Sequence, residues 1–141
     1  VGAAALRTGG ELGLGLSGEG VKMALWDGGR VRQDHLELVG RILNSDGAAI
    51  FDDHATHVAG TMAATGINSN ATGMATRAQL FAFDFSNDLS EMASMAATDQ
   101  SGLIVSNHSY GTLSGWHFDG GWTWYGDPQV SATEDYKFGF Y

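Results

Sequence analysis

The 141-residue sequence predicts an α/β fold in which a parallel sheet is flanked by helices on both faces. Two observations predict this class. Short apolar runs alternate along the chain with longer segments of helical periodicity, and each run is continuously apolar. Continuously apolar strands are typical of parallel sheets covered on both faces, and intervening helices supply the crossovers that parallel strands need. With 43% hydrophobic residues, the chain is also expected to bury a core.

The first elements are a glycine-rich lead-in and a buried strand. Residues 1–20 are small and glycine-rich, which predicts an irregular segment with a helical turn at Ala3–Leu6. The apolar run Val21–Trp26 is followed by Asp27 and two glycines, the pattern of a buried strand that stops at a turn. A second short strand is predicted at Arg41–Leu43.

A helix is predicted from His54 to Ala64. Asp53 is the expected N-cap, because its carboxylate can accept from the unpaired amides of the first turn. Gly66 lies where a helix is expected to stop. No charged residue follows His57 in this small-residue segment, so we expect the helix to be buried on most of its circumference.

Three more elements complete the predicted core of residues 21–111. They are a strand at Gln79–Phe83, a helix at Asp88–Asp99 and a strand at Leu103–Asn107. The apolar stripe of that helix consists of Leu89, Met92, Met95 and Ala96. Beyond it, residues 112–141 predict an irregular, aromatic-rich insertion and an incomplete end.

Composition excludes several functional classes. Sixteen acidic residues against 7 basic ones give a net charge of −9, which argues against nucleic acid or an anionic membrane surface as a partner. The absence of cysteine excludes disulfide scaffolds, cysteine-ligated zinc and thiol catalysis. No apolar run is long enough to predict a membrane span.

Asp27 and His54 are the first candidates for chemistry. Asp27 ends the first strand, and sites of open α/β sheets form outside the carboxyl ends of strands, although Asp-Gly is also an ordinary turn. His54 and His57 share one helix face, but Ala55 stands where a zinc-protease motif carries Glu, so metal binding is not expected. A base role suits His54, with Asp27 orienting its ring, whereas His57 is expected to be structural.

Taken together, the strand ending in Asp27-Gly28 and the motif His54–Thr61 resemble the subtilisin-like serine proteases, or subtilases. Seven of the eight positions of the second motif match the family's His-Gly-Thr-His-Val-Ala-Gly-Thr, and the Asp precedes the His as in the family. The resemblance runs from about residue 14 to 111, and further segments agree with it. These segments are Ser17–Lys22, Asn70–Ala75 and Val105–Gly111.

The resemblance implies roles for five residues. Asp27 would be the triad carboxylate and His54 the general base. Ser109, Tyr110 and Gly111 would form the edge strand that pairs with the backbone of a polypeptide substrate, and an exposed strand edge does offer unpaired N–H and C=O groups. From the residues alone, the preferred interpretation of 109–111 is simply a strand ending in a turn.

The chain departs from the family in ways that bear on activity. Ala55 replaces a glycine beside the base, and Gly28 replaces a hydroxyl residue. The family's Gly-Thr-Ser-x-Ala nucleophile motif and its oxyanion Asn are absent. We therefore expect residues 1–141 to be the amino-terminal portion of a catalytic domain, inactive alone. The remainder would be a second chain or a missing segment.

Further expectations follow from the resemblance. The enzyme would be secreted or otherwise extracytoplasmic and would need no cofactor for its chemistry. A structural calcium is possible, with oxygen ligands at Glu37 and in the Asn68–Thr72 loop, but no metal site is assigned. The aromatic residues of 112–128 either line a substrate groove, or pack under a long loop or against the missing half of the domain. The alternative function is a non-catalytic, subtilase-like module that binds peptides.

Overall fold

The computed structural model describes residues 2–98, 102–111, 113 and 115–126. The chain divides into two compact units between Ser109 and Tyr110. The first unit contains three α-helices, one 3-10 helix and four strands in its described residues. They are α1 (Ala3–Leu6), β1 (Lys22–Asp27), β2 (Ile42–Asn44), α2 (Asp53–Ala63), the 3-10 helix (Ser69–Ala71), β3 (Gln79–Asp84), α3 (Asp88–Ala97) and β4 (Leu103–His108).

The four strands form one parallel sheet in the order β2–β3–β1–β4. β1 lies between β3 and β4, and its residues pair from Lys22 with Gln79 to Asp27 with Asp84. The predicted parallel α/β class is confirmed, and each predicted strand of the core is present within one residue of its expected bounds. The predicted turn at Ala3–Leu6 is also present, as α1.

Apolar side chains fill both faces of the sheet, because successive residues of a strand point to opposite sides. On one face, Met23 and Leu25 of β1 pack in a cluster with the buried alanines of α2. On the other face, Ala24 and Trp26 pack with Phe83, and the methionines of α3 lie against them. Helices therefore cover both faces, as the continuous apolar run of β1 predicted.

Helix α2 buries one stripe rather than most of its circumference, so that expectation is wrong. The stripe is Ala55, Ala59 and Ala63, at i, i+4 and i+8, and it faces β1 and β3. The far side of α2 borders a cavity of about 490 Å³, lined in part by His57, Gly60 and Thr61. Small side chains let the helix approach the sheet closely, and the loop at Gly73 lies against its C-terminal end.

Helix α3 ends at Ala97, and Asp99 lies outside the described residues. Met92 and Met95 pack against the sheet as the stripe predicted, whereas Leu89 and Ala96 are exposed, so the stripe is narrower than expected. The longest described helix, α2, has 11 residues, and none of the described helices has the length and apolar character needed to cross a membrane.

The second unit contains an antiparallel hairpin where the sequence predicted an irregular segment. Its strands are β5 (Trp116–Phe118) and β6 (Trp122–Trp124), joined by the turn 119–121. Gly120 has a φ of +67°, a conformation that favours glycine. Alternating aromatic residues on both sides of Asp119-Gly120-Gly121 are a hairpin pattern that sequence reasoning missed. Residues 112, 114 and 127–141 of the predicted insertion lie outside the described residues.

Candidate active site

Asp27 is the last residue of β1, at the carboxyl end of one of the sheet's two interior strands. Its side chain is buried, with 3% exposed. One carboxylate oxygen, Oδ1, accepts a hydrogen bond from the backbone N–H of Gly28 at 2.7 Å. The other, Oδ2, is buried and has no hydrogen-bond partner among the described residues. A buried carboxylate with an unused oxygen is costly to hold, which marks this position as more than a turn residue.

His54 lies in the first turn of α2, and the residue that caps this helix is Asp52, not Asp53 as the sequence predicted. Asp52 has the extended backbone of an N-cap, with φ −120° and ψ 129°, and its Oδ1 accepts from the N–H of Ala55 at 2.6 Å. Asp53 is the first helical residue, one position too late for that bond. The cap holds the turn that carries His54.

The two candidates meet directly. Nδ1 of His54 lies 2.6 Å from Oδ1 of Asp27. The His54 side chain is 57% exposed, although its partner is buried. The ring therefore joins a buried carboxylate on one side to open space on the other.

This hydrogen bond sets the chemical state of the imidazole. Because the Asp27 carboxylate accepts, Nδ1 carries the proton and Nε2 is left as the basic nitrogen. The pKa of His54 is raised by the hydrogen bond to Asp27, then by the charge of Asp27, with a smaller contribution from the charge of Asp52, and desolvation opposes these effects. The arrangement strengthens His54 as a proton acceptor.

Two chain segments are clamped together beside this pair, one following Asp27 and one preceding His54. Arg30 and Phe51 form a parallel bridge, in which the N–H of Arg30 donates to the carbonyl of Ile50 at 2.8 Å and the N–H of Asp52 donates to the carbonyl of Arg30 at 2.9 Å. A Cβ on Gly29 would lie 2.9 Å from the carbonyl oxygen of Ile50, so only glycine permits this approach. Sequence reasoning missed the clamp, although the Gly28-Gly29 pair was a visible sign of it.

A stack of rings supports β1 directly before Asp27. The fully buried Trp26 lies between Phe83, with ring centroids 4.5 Å apart, and His108, at 5.1 Å. Its indole N–H donates to Glu91 Oε2 at 3.0 Å. These contacts link three adjacent strands and α3, and they fix the end of β1 from which Asp27 projects.

Asp27, Asp52 and His54 also form, among the described residues, a group whose ligand atoms lie within 4.8 Å of one another. One atom of each already has a structural partner, because Oδ1 of Asp52 caps α2 and Oδ1 of Asp27 accepts from Gly28 and from Nδ1 of His54. We assign no metal site here. The predicted structural role of His57 is not seen, since it is exposed and no hydrogen bond reaches its ring among the described residues.

Glu37 does not fit the calcium site suggested for it. Its carboxylate accepts from the Thr65 hydroxyl and from the backbone N–H groups of Gly66, Ile67 and Asn68, at 2.7 to 3.0 Å. These bonds lower the pKa of Glu37 from 4.5 to about 2. N–H groups that converge on a carboxylate compete with a cation for its oxygens, so Glu37 holds the loop directly.

The predicted substrate strand at Ser109, Tyr110 and Gly111 is not part of the sheet. β4 ends at His108, which pairs with Trp26, and the register between β1 and β4 includes no residue after His108. All three residues are exposed, and the Ser109 hydroxyl accepts from the Asn107 side-chain amide at 2.7 Å. β4 itself pairs only with β1 in the described chain, which leaves its other edge open. A role in substrate binding stays a prediction.

Comparison with known families supports the resemblance carried by the two motifs. The profile of the subtilase family matches residues 19–138, which is most of the chain. The match includes β1, α2 and the Asp27–His54 pair. A search among proteins of curated function gives no match. The chain therefore belongs to the subtilase family of serine peptidases.

Proposed function

We propose that this chain supplies the aspartate and the histidine of an Asp-His-Ser triad in a serine endopeptidase. The observation that carries the proposal is the 2.6 Å contact between Nδ1 of His54 and Oδ1 of Asp27. A triad requires a buried acceptor, an imidazole with a free Nε2, and access for a nucleophile. Asp27 is the buried acceptor, and its hydrogen bond to Nδ1 leaves Nε2 of His54 free. The exposure of His54 gives access for a nucleophile.

In the proposed reaction, a serine hydroxyl attacks the carbonyl carbon of the substrate peptide bond. Nε2 of His54 accepts the hydroxyl proton as the new C–O bond forms. The Asp27 carboxylate keeps its charge, holds Nδ1–H and stabilises the imidazolium. The same Nε2 proton then passes to the amide nitrogen as the C–N bond breaks, and water hydrolyses the acyl-enzyme by the reverse sequence of proton transfers.

The serine is proposed to come from a polypeptide segment outside these 141 residues. No serine in the sequence lies in the family's Gly-Thr-Ser-x-Ala motif. The open edge of β4 and the uncovered side of α2 are surfaces against which further elements of a larger domain could pack. The chain alone is accordingly expected to have no peptidase activity, and the intact Asp27–His54 pair favours catalysis over a module that only binds peptides.

A fluorophosphonate probe tests the proposal, because it labels only an activated serine. The probe is applied to residues 1–141 alone and to the same residues joined to, or bound by, the segment with Gly-Thr-Ser-x-Ala. We expect labelling of the second preparation only. His54→Ala should lower turnover by at least about 10⁴-fold, the scale on which loss of a triad member acts.

His57→Ala is the matched control. It removes a second histidine from the same helix, about one turn beyond His54. It should keep most of the labelling, with circular dichroism used to show that each variant is folded. Wild-type turnover in the His54 variant would refute the assignment of the base. Labelling of the isolated chain would refute the assignment of the serine to another segment.

We also propose that the enzyme acts outside the cytoplasm on polypeptides. Support comes from the family and from a composition that is acidic, glycine-rich and low in Lys and Arg. Immunoblots of secreted and cell fractions test this, and recovery of the protein only from the cytoplasm would contradict it.

A further inference from the structure

The hairpin of the second unit presents four aromatic side chains on one side. Trp116 faces Trp124 and Phe118 faces Trp122 in the antiparallel register, and residues two apart on a strand share a face. The ring centroids lie 5.3 Å apart in the first pair and 5.2 Å in the second. We refer to these four residues, Trp116, Phe118, Trp122 and Trp124, as the aromatic face.

The aromatic face is open. Trp122 is 69% exposed, Phe118 60% and Trp116 53%. A hollow of about 430 Å³ is lined by Trp116 and Trp122. Large rings at a hairpin surface are held by cross-strand pairing, so they present contact area with little further loss of side-chain freedom on binding.

The charge around this face favours a cationic partner. Between Gly102 and Gly126 the sequence has one charged residue, Asp119, and neither Lys nor Arg, and the whole chain carries a charge of −9. Asp119 lies at the hairpin turn and is exposed. The face of an aromatic ring is itself electronegative and attracts ammonium and guanidinium groups. Ring faces and protein charge therefore attract the same kind of ligand.

The other face of the hairpin makes an oligosaccharide a poorer fit. The polar residues of the two strands, His117 and Thr123, pair with each other and lie on the side opposite the aromatic face. His117 also makes an edge contact with Tyr125, at 6.2 Å between centroids. A sugar needs both donors and acceptors beside the ring on which it stacks, and the only polar groups of these four side chains are indole N–H donors.

We infer that the aromatic face binds extended, positively charged polypeptide, with Lys or Arg side chains stacked on Trp116 and Trp122. The inference rests on the proposed function, since the bound polypeptide would be a flanking part of the substrate. Four residues lie between Gly111 and Trp116, so the Cα atoms of the two are at most about 18 Å apart. An extended peptide bound at the aromatic face could therefore also contact Gly111, which belongs to the same unit.

The test uses the indole N–H signals of the full 141-residue chain in NMR spectra. An unstructured peptide of alternating Gly and Arg is titrated in, and a Gly-Glu peptide of equal length is the matched ligand control. We expect the signals of Trp116 and Trp122 to move with the Arg peptide only. Trp26 is an internal reference, because it is fully buried and its N–H is bonded to Glu91.

Two variants separate a specific site from general charge attraction. Trp122→Ala should weaken binding of the Arg peptide by about two- to fivefold, the scale of an exposed cation–π contact. Leu89→Ala, which removes an exposed apolar side chain of α3 in the other unit, should leave the affinity unchanged. Circular dichroism shows whether each variant keeps its fold, and Trp122→Phe, which keeps a ring, should bind between wild type and Trp122→Ala.

Three outcomes would overturn the inference. They are equal shifts with both peptides, shifts that appear on concentrating the protein without peptide, and shifts produced by neutral phosphatidylcholine vesicles but not by the Arg peptide. The second outcome would identify another copy of the chain as the partner, and the third a lipid surface. The NMR titration measures binding without turnover. If it fails, the fluorophosphonate test of the triad is unaffected, and if the fluorophosphonate test fails, peptide binding can still be measured.

Discussion

Asp52 shows at the scale of a single residue how two adjacent carboxylates take different roles. Sequence reasoning placed the cap at Asp53, beside the histidine, because both aspartates satisfy the same preference. Backbone conformation decides between them. The N-cap residue must have an extended backbone, and its side chain must accept from the amide of the residue three positions later. Asp52 meets this condition and bonds to Ala55. Its charge then lies close enough to His54 to contribute to the raised pKa of the ring.

Asp52→Asn and Asp52→Ala separate the cap from the charge. Asn can accept the same hydrogen bond, so Asp52→Asn should keep the stability and lower the pKa of His54, because one of the charges that favours the imidazolium is lost. Asp52→Ala should lower the pKa and also cost about 1 kcal/mol of stability through loss of the cap. Ring-proton NMR titration and urea unfolding measure the two effects.

The exposed Asp53 provides the matched control, since Asp53→Asn removes a neighbouring charge but not the cap. Its effect on the His54 titration should be smaller than that of Asp52→Asn. An unchanged His54 titration in Asp52→Asn would show that Asp52 acts on the helix alone.

Among the secondary-structure elements, the strands and helices of the first unit were predictable because their patterns are local. β1 is a continuous apolar run that ends at Asp27-Gly28, and α2 begins at a carboxylate before a run of small residues. The Asp27–His54 pair followed from the order and content of two motifs. For the Arg30–Phe51 bridge, Gly28-Gly29 indicates a close backbone approach, but no local pattern identifies the partner segment about 20 residues away.

Two glycines next to α2 should respond oppositely to alanine. Gly73 lies against the end of the helix, and a Cβ there would be 2.2 Å from the backbone nitrogen of Ala64. Gly60 lies inside α2 with no atom within 4 Å of its added Cβ. We expect Gly73→Ala to destabilise the fold by about 1–3 kcal/mol or more. Gly60→Ala should stabilise it by up to about 1 kcal/mol through helix propensity.

Chemical denaturation of the two variants measures both changes. Destabilisation by Gly60→Ala would indicate that the outer side of α2 is covered more tightly than this chain shows. An unchanged midpoint for Gly73→Ala would contradict the close contact between the loop and the helix end.

The loop that follows α2 should loosen in acid because Glu37 holds it. The pKa of Glu37 is about 2 in the folded chain and 4.5 without these contacts, so the unfolded chain binds more protons between these values. The stabilisation is therefore fully present above about pH 4.5 and is lost as the pH falls towards 2. Glu37→Gln should flatten this part of the profile of unfolding free energy against pH.

The exposed Glu11 offers a matched substitution, because Glu11→Gln removes the same charge without a network of amide donors. Its profile should remain close to that of the wild type. If Glu37→Gln and the wild type lose stability in parallel between pH 4.5 and 2, the loop is not held by this carboxylate.

For the whole molecule, the excess of acidic groups should make stability depend on salt. A net charge of −9 on a chain this short produces self-repulsion in the compact state, and added salt screens it. We expect the melting temperature to rise by a few degrees between low and moderate concentrations of sodium chloride. Differential scanning calorimetry measures the shift, and sodium chloride and potassium chloride should act alike, since screening depends on ionic strength. A melting temperature that falls with salt would mean that attractive ion pairs outweigh the repulsion.

The clamp between Arg30 and Phe51 has a consequence for assembly of the active site. It holds the segments that carry Asp27 and His54 together within a single chain, before any nucleophile is present. In the proposed triad, a serine-bearing segment would then have one atom to position, a hydroxyl oxygen near Nε2, instead of three groups to align at once. Assembly of the active site would then require only that this segment bind to one surface of the chain. Such a site would tolerate a serine on a separate chain from the other two residues.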